Sequence, residues 1–441
     1  MQSNFQNHCI AIALGFLAWL GSTPATAETV AEFYKGRSIT IHMGFPGGGF
    51  FASAKLAGKH MQKHIPGNPK IVFKPRPGRI GTTVLDFLAH WAPKNGTHLA
   101  MPGSLGPWLP LQLKIPVKYD PLKLTYIGNV NSAGDTYLFI RPDAGIKTLA
   151  DLKTTSLRVS NSRGAYKLFV AAINNILGTK ITYVGDYPSH QDAFSAMLKG
   201  KTQGVAGAGV TINAEHRSYY PGLLKDGKAI PLLRYSASTK SSAYPKVALA
   251  GQAAATATDK QALEIAFASQ VLDRPLMGPP DMEPAQLKAL QKAFMDAMKD
   301  PALIAEAKAK KIGIENPMSG SDMLAYVKKI YALPDAAKVL IKRALSDESF
   351  VEKVEYSSFT AELAQIKRKG KSPHALLLFK GQGKSKGRPV AVHLNARTTA
   401  LTAYGQEIKI PPFKIKSLKA GMKCKVSWTG RGTTASNLEC S

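Results

Sequence analysis

The chain has 441 residues, and 58 Lys and Arg residues against 29 Asp and Glu residues give a formal net charge of +29 at pH 7. This length exceeds that of one average domain, and the charge favours anionic partners such as nucleic acid, anionic lipid or acidic solutes. Simple solubility, with a basic bias of the source proteome, explains the charge equally well.

The first predicted element, residues 1–27, is a secretory signal peptide. A short apolar run from Ile10 to Leu20 precedes Ala25-Thr26-Ala27, which is a small-x-small cleavage site. Because Met1 to His8 contains no Lys or Arg, an uncleaved anchor is the alternative. No later apolar stretch approaches the length of a membrane span. We therefore expect a periplasmic protein that is soluble after cleavage near Ala27, with no role in binding nucleic acid.

A glycine-rich turn follows the first predicted strand. Ser38 to Met43 alternates polar and apolar residues, Pro46 and the glycines Gly47 to Gly49 interrupt it, and a helical pattern starts at Ala52. Backbone N–H groups at such a helix start form an anion site without a charged side chain. The spacing is neither a Walker loop nor a dinucleotide fingerprint, so an ordinary tight turn is the alternative.

From residue 29 to about 346 the pattern alternates strands with helices, which predicts an α/β fold with mostly parallel sheets. The predicted strands are 38–43, 70–74, 97–101, 124–129, 137–141, 156–160, 181–184, 203–207 and 230–235. The predicted helices lie near 51–64, 80–91, 148–152, 165–177, 189–199, 259–270, 284–299, 301–310 and 321–331.

The character of the chain changes after residue 346. We predict a helical, basic linker over 347–373 and a small basic antiparallel β module over 374–441, because short β-type runs there alternate with glycine-containing turns. Without the signal peptide the chain has two cysteines, Cys424 and Cys440, and an even pair in an exported chain favours a disulfide over free thiols or a metal site.

Several segments, taken together and in order, resemble the substrate-binding proteins of tripartite tricarboxylate transporters, the Bug-type receptors. The resemblance covers about residues 33–346, and the β module lies outside it. The segments are Phe33-Tyr-Lys-Gly36, Gly44-Phe-Pro-Gly-Gly-Gly49, Ile65-Pro-Gly-Asn-Pro69, Pro75-Arg-Pro-Gly78, Ala92-Pro-Lys-Asn-Gly-Thr97, Lys147-Thr-Leu-Ala-Asp-Leu152, Leu198-Lys-Gly-Lys201, Arg274-Pro-Leu-Met-Gly-Pro-Pro280 and Met298-Lys-Asp-Pro301.

The resemblance implies a two-lobed periplasmic-binding-protein (type II) architecture, with a hinge and a central cleft that closes on a solute. On this basis we expect residues 28–130 and 234–346 to form one lobe and residues 131–233 the other. In the family, two loops facing each other across the cleft hold carboxylates, largely through backbone amides and small hydroxyls. These loops correspond to Phe45–Gly49 and to Ser160–Tyr166, and each opens a helix.

The chain departs from the family pattern in both loops. Phe50 and Phe51 stand where the family commonly has an Asp, and these rings either line the pocket or pack between helix and sheet. Arg163 in the second loop either grips a carboxylate bidentately or is a solvated loop residue. Together these departures favour an anion with apolar or aromatic bulk over a small dicarboxylate.

No catalytic constellation is evident. Gly103-Ser104-Leu-Gly106 lacks the first glycine of a nucleophile elbow, since Pro102 occupies that position, and the pair His60 and His64 has no accompanying HExxH motif. We expect neither an enzyme nor a metal or cofactor site. The alternative to a solute receptor is an envelope-associated binding or sensing protein, in which residues 367–441 bind anionic envelope components.

The sequence therefore predicts a monomeric receptor that captures a small organic anion, including aromatic carboxylates, and delivers it to membrane transporter subunits. The predicted ligand-binding residues are Phe45, Gly47, Gly48, Gly49, Phe50, Ser104, Ser160, Ser162, Arg163 and Tyr166.

Overall fold

The computed structural model describes residues 28–45, 48–78, 81–132, 136–162, 166–187, 190–209, 223–224, 226–236, 244, 246–310, 312–314, 316–351, 357–368, 375–380, 390–394, 399–402, 407–409, 418–428 and 437–440. The predicted signal peptide lies outside these residues. The chain divides into two compact units, Met1–Val351 and Glu352–Ser441.

The first unit alternates strands and helices. Its strands are β1 (Ser38–Met43), β2 (Lys70–Pro75), β3 (His98–Met101), β4 (Thr125–Asn129), β5 (Thr136–Ile140), β6 (Leu157–Ser162), β7 (Ile181–Tyr187), β8 (Gly204–Gly209), β9 (Ile230–Tyr235), β10 (Ala248–Leu249), β11 (Pro275–Gly278) and β12 (Met318–Ser319). Its α-helices are α1 (Val30–Tyr34), α2 (Gly48–Met61), α3 (Thr82–His90), α4 (Leu109–Gln112), α5 (Leu149–Thr154), α6 (Tyr166–Leu177), α7 (His190–Leu198), α8 (Ala257–Phe267), α9 (Pro284–Met298), α10 (Pro301–Ala309), α11 (Gly320–Tyr331) and α12 (Asp335–Ser346).

Two sheets of six strands organise this unit, which confirms the predicted α/β architecture. The first sheet has the order β12-β4-β11-β3-β1-β2, and the second has the order β10-β9-β5-β8-β6-β7. The sheets are mixed rather than mostly parallel: β11 is antiparallel to β3 and β4, and β5 is antiparallel to β8 and β9. Both β5 and β11 are the first strand after the chain passes from one sheet to the other.

The expected boundary between residues 233 and 234 is wrong, because it falls inside β9. This strand pairs with β5 along its length, from Ile140 opposite Ile230 to Thr136 opposite Tyr235, and β10 extends the same sheet. The chain therefore returns to the first sheet only between Leu249 and Pro275.

Buried apolar side chains fill both sheets' faces. One cluster, with Ile41 and Phe294, joins the first sheet to α2 and α9, and another, with Phe139 and Phe194, joins the second sheet to α7. A third cluster contains residues of both sheets together with α3, α6, α8, α11 and α12. The two sheets therefore share a core, and they are joined by the chain segments between β4 and β5 and between β10 and β11.

The second unit is a β module with the strand order β15-β14-β13-β18-β19-β16-β17. Its strands are β13 (Ser357–Arg368), β14 (Ala375–Phe379), β15 (Val390–Leu394), β16 (Thr399–Thr402), β17 (Glu407–Lys409), β18 (Lys423–Trp428) and β19 (Asn437–Cys440). All neighbouring pairs are antiparallel except β16 and β19.

Strand β13 corrects the predicted helical linker over 347–373. Ala361 and Leu363 are buried at alternate positions, and residues 357–362 pair in register with β18. A period of two, not of 3.6, therefore governs this segment. Cys424 and Cys440 lie directly opposite each other on β18 and β19 and form the predicted disulfide.

Candidate functional site

Three loops converge where the parallel strands β1, β2 and β3 end. Gly44 and Gly81 both approach Pro102 so closely that a Cβ on either would overlap the Pro102 carbonyl oxygen. Gly103 has a φ of +113°, and a Cβ there would overlap the ring of Phe45. Only glycine fits these positions, so the predicted turn after β1 is packed tightly against the turn that follows β3.

An aromatic and cationic stack stands at the start of α2. The rings of Phe45 and Phe50 are stacked with their centroids 5.1 Å apart, and the guanidinium carbon of Arg274 lies 4.0 Å from the Phe50 centroid. A Cβ on Gly49 would lie 3.2 Å from Nη2 of Arg274. The Arg274 cation therefore adjoins the positive end of the helix, where backbone N–H groups lack intrahelical partners.

The two neighbouring phenylalanines have different environments. The Phe50 ring stacks on Phe45 and contacts the guanidinium of Arg274. Phe51 packs edge-on to Phe73 at 6.5 Å and lies against the core beneath α2. Phe50 therefore contributes to the site chiefly by supporting the guanidinium, and Phe51 contributes to the core.

Arg274 forms an ion pair with the preceding Asp273, whose carboxylate also accepts a hydrogen bond from Nδ2 of Asn131 at 3.3 Å. The side chains of Asp273 and Arg274 are 17% and 19% exposed. Both charged groups are mostly buried, and a small part of each is exposed to solvent. An ion pair in such a position is stronger than one at an open surface.

The buried side chain of Asn129, at the end of β4, positions this pair. Its Oδ1 accepts a hydrogen bond from the backbone N–H of Arg274 at 2.9 Å, and its Nδ2 donates to the carbonyl oxygens of Val271 at 3.0 Å and Asn131 at 2.9 Å. The backbone N–H of Val130 donates to the Arg274 carbonyl at 3.1 Å. One amide therefore ties together the two segments that cross between the sheets.

The second half of the site lies where β6 leads into α6. Tyr166, the first residue of α6, meets the ring of His190 edge-on at 5.2 Å, and a Cβ on Gly207 would overlap the Tyr166 ring. Asn161 is completely buried and donates from Nδ2 to the Gly207 carbonyl at 2.6 Å. These contacts fix Tyr166 against the second sheet.

Burial, together with the charges of Asp273 and Arg274, also changes the pKa of Tyr166. Burial is the main reason that the pKa of Tyr166 rises to about 12, with Asp273 raising it further and Arg274 opposing the rise. Burial lowers the pKa of His190 to about 4, against a hydrogen bond with the Gly207 backbone. At neutral pH the phenol is therefore protonated and the imidazole is uncharged.

The structure brings some of the predicted site residues together, places others separately and does not describe the rest. It brings Phe45, Gly49 and Phe50 together, and it places Ser104 in a half-buried position on the turn after β3. Ser160 is completely buried, and its hydroxyl has no hydrogen-bond partner among the described residues. Gly48 and Ser162 are described as backbone that begins α2 and ends β6, and Gly47 and Arg163 lie outside the described residues. Ligand contact by all ten predicted residues stays a prediction.

Sequence reasoning missed Asn129, His190, Asp273 and Arg274 as parts of the site. Asp273 and Arg274 stand before Pro275 at the start of a strand that was not predicted, and no local pattern marks them as facing α2. The available signal was the pair of opposite charges in an otherwise apolar segment, Asp273-Arg-Pro-Leu-Met277.

Two further properties concern the described part of the chain. No group of three or more His, Cys, Asp or Glu side chains there is arranged to hold a metal ion. None of the helices there has both the length and the apolar character that crossing a bilayer requires.

The two linked α/β sheets, with loops meeting at strand ends beside the crossings, define the fold of a two-lobed periplasmic solute-binding protein. A crystal structure of a TctC solute-binding protein from Polaromonas, without ligand, matches 70% of this chain and 99% of its own, with 17% identity and a TM-score of 0.53. At this identity the likeness shows the fold, as the resemblance to Bug-type receptors predicts.

Two other solved structures from Rhodopseudomonas palustris are also similar. MatC with bound malate is 16% identical, with 69% of this chain and 99% of that chain covered and a TM-score of 0.47. A second protein, with adipate, is 15% identical, with 69% and 97% covered and a TM-score of 0.47. No protein-family model and no curated protein sequence matches the chain.

Proposed function

We propose that this protein is a periplasmic receptor that binds an organic anion, with a carboxylate as its head group, and delivers it to a transporter of the tripartite tricarboxylate type. The observation that carries the proposal is the meeting of Arg274 with the start of α2 at Gly49. A partly buried guanidinium beside free backbone N–H groups forms charge-assisted hydrogen bonds with a carboxylate.

The opposite side of the proposed cleft supplies a neutral hydrogen-bond donor. Tyr166 opens α6 and its hydroxyl stays protonated at neutral pH, which supports a role for it as a donor to the anion. Ser162 and Arg163, just before α6, complete the proposed second loop. A ligand held by both loops bridges the two sheets, which is how hinged receptors close on a solute.

The similarity of fold to solute-binding proteins supports a binding role rather than catalysis. Backbone amides, a guanidinium and a phenol are sufficient for carboxylate recognition.

Calorimetric titration of the purified protein with paired ligands tests the proposal. Each carboxylate, such as butyrate, hexanoate or benzoate, is compared with its neutral amide. We expect at least one carboxylate to bind and its amide to bind at least about tenfold more weakly, because the charge-assisted bonds are lost. Equal binding of acid and amide, or a folded protein that binds no acid in a broad panel, would contradict the proposal.

A further inference from the structure

The charges of the described site come as an adjacent opposite pair. Arg274 contributes one positive charge and Asp273 one negative charge, and these are the two charged groups that act on Tyr166. Among the described residues, the helix starts, each equivalent to roughly half a positive charge, add to the attraction for an anion. This balance among the described residues suits one carboxylate better than two.

The Asp273 carboxylate is held in place. It is bonded to Arg274 and to Nδ2 of Asn131, and the backbone next to it is fixed by the hydrogen bond between Arg274 N–H and Asn129. With 17% of its side chain exposed, it is accessible to a ligand that contacts Arg274 yet poorly screened by water. A second ligand carboxylate near it meets a fixed like charge.

We propose that Asp273 makes the cleft selective for monoanionic carboxylates and disfavours dicarboxylate dianions. The inference rests on the proposed function, since it assigns the charge of the ligand that the same cleft binds. A like charge a few ångströms away in a partly buried site lowers affinity by at least about tenfold. Asp273 acts here as a repulsive element, which discriminates against one ligand without improving contacts to another.

The test compares acids that have nearly the same shape and differ by one charge. Succinate and succinamate form one such pair, adipate and adipamate a second, and terephthalate and terephthalamate a third. Affinities are measured by calorimetry at neutral pH for the wild-type protein, for Asp273→Asn and for a control, Asp281→Asn. Asp281 is a suitable control because it is 81% exposed and pairs with Lys94 at 3.0 Å outside the site.

We expect the wild-type protein and Asp281→Asn to bind the half-amide at least about tenfold more tightly than the diacid. In Asp273→Asn the affinity for the diacid rises by about tenfold more than the affinity for the half-amide. Asn keeps the size of Asp and its acceptor oxygen, so a merely structural role for Asp273 would change both affinities together.

Two results would overturn the inference while leaving the proposed function intact: a wild-type protein that binds the diacid as tightly as the half-amide, or an unchanged ratio in Asp273→Asn. If Asp273→Asn does not fold, the ratio of half-amide affinity to diacid affinity in the wild-type protein decides whether the inference stands. Failure of every acid and half-amide to bind would instead refute the proposed function.

Discussion

Replacing Arg274 by Gln separates the two contributions of this residue, to stability and to binding. Its guanidinium stacks on Phe50 at 4.0 Å and pairs with Asp273, and its side chain is 19% exposed. Loss of the stacking costs about 0.5–2 kcal/mol and loss of the partner of a mostly buried carboxylate costs about 1–3 kcal/mol. We therefore expect the free energy of unfolding to fall by about 1.5–5 kcal/mol.

Binding of a carboxylate should weaken independently of this loss. One charge-assisted hydrogen bond in a partly buried site contributes about 1.5–3 kcal/mol, which corresponds to a 10- to 150-fold rise in Kd. Urea unfolding measures stability, and calorimetry under conditions where the variant is folded measures Kd. Arg37→Gln is a matched control, because Arg37 also lies over a ring, 4.1 Å from the Phe33 centroid, and pairs with Glu28 at 3.7 Å.

A double variant distinguishes the two effects. Removing both charges in Arg274→Gln with Asp273→Asn should recover much of the lost stability, because no unpaired carboxylate remains, but Kd should stay high. Recovery of the affinity in the double variant, or an unchanged Kd in Arg274→Gln, would refute the assignment of Arg274 to the anion.

Three further predictions follow. Arg163→Ala should weaken anion binding by about 1.5–3 kcal/mol if its contact is buried and charge-assisted, and an unchanged Kd in calorimetry removes Arg163 from the site. Ion pairs lower the pKa of Glu306 to about 2 and lower the pKa of Asp300 further, so the stability that these carboxylates contribute is complete above about pH 4.5 and is lost as pH falls towards 2. Thermal unfolding monitored by circular dichroism should show this loss. Replacing both carboxylates by amides should reduce the dependence of the melting temperature on pH. Cys424 and Cys440 close a loop over a sequence separation of 16, and replacing both by Ser should destabilise the β module by about 3 kcal/mol in chemical unfolding. An unchanged denaturant midpoint of unfolding would mean that strand pairing alone holds β18 and β19 together.

Local sequence patterns correctly predicted the elements whose hydrophobic period and start and stop residues lie within the element itself. The strand Ser38–Met43 has the bounds that its alternation indicates. Helix α9 begins at Pro284 and ends before Pro301, and Leu290 and Phe294 on one of its faces are buried. In both cases the hydrophobic period and the local start and stop residues agree with the tertiary packing.

The elements that sequence reasoning missed depend on distant partners. Strand β11 has four residues, Pro275–Gly278, and all are buried between β3 and β4, so its extended form comes from neighbours about 150 residues away in sequence. Strand β13 lies in the predicted helical linker. Its segment Ala361-Glu-Leu-Ala-Gln365 consists of good helix formers, but pairing with β14 and β18 outweighs that propensity.

The candidate site shows the same division. Gly49 and Tyr166 were predicted from loops that open helices, whereas Arg274 reaches Phe50 only because β11 inserts between two strands of the first sheet. The opposite charges of Asp273 and Arg274 are visible in the sequence, but no local pattern shows which helix they face. The importance of the pair became visible from the distances to Phe50 and Gly49.

The buried amide of Asn129 has a mechanical consequence for this molecule. The segments that leave and re-enter the first sheet are both bonded to it, through Asn131 on one side and through Val271 and Arg274 on the other. The two crossings are therefore coupled through one hydrogen-bonded amide, so a backbone rotation in one segment is transmitted to the other. Because the Arg274 N–H is bonded to the same amide, the cation proposed to bind the anion is connected directly to both crossings.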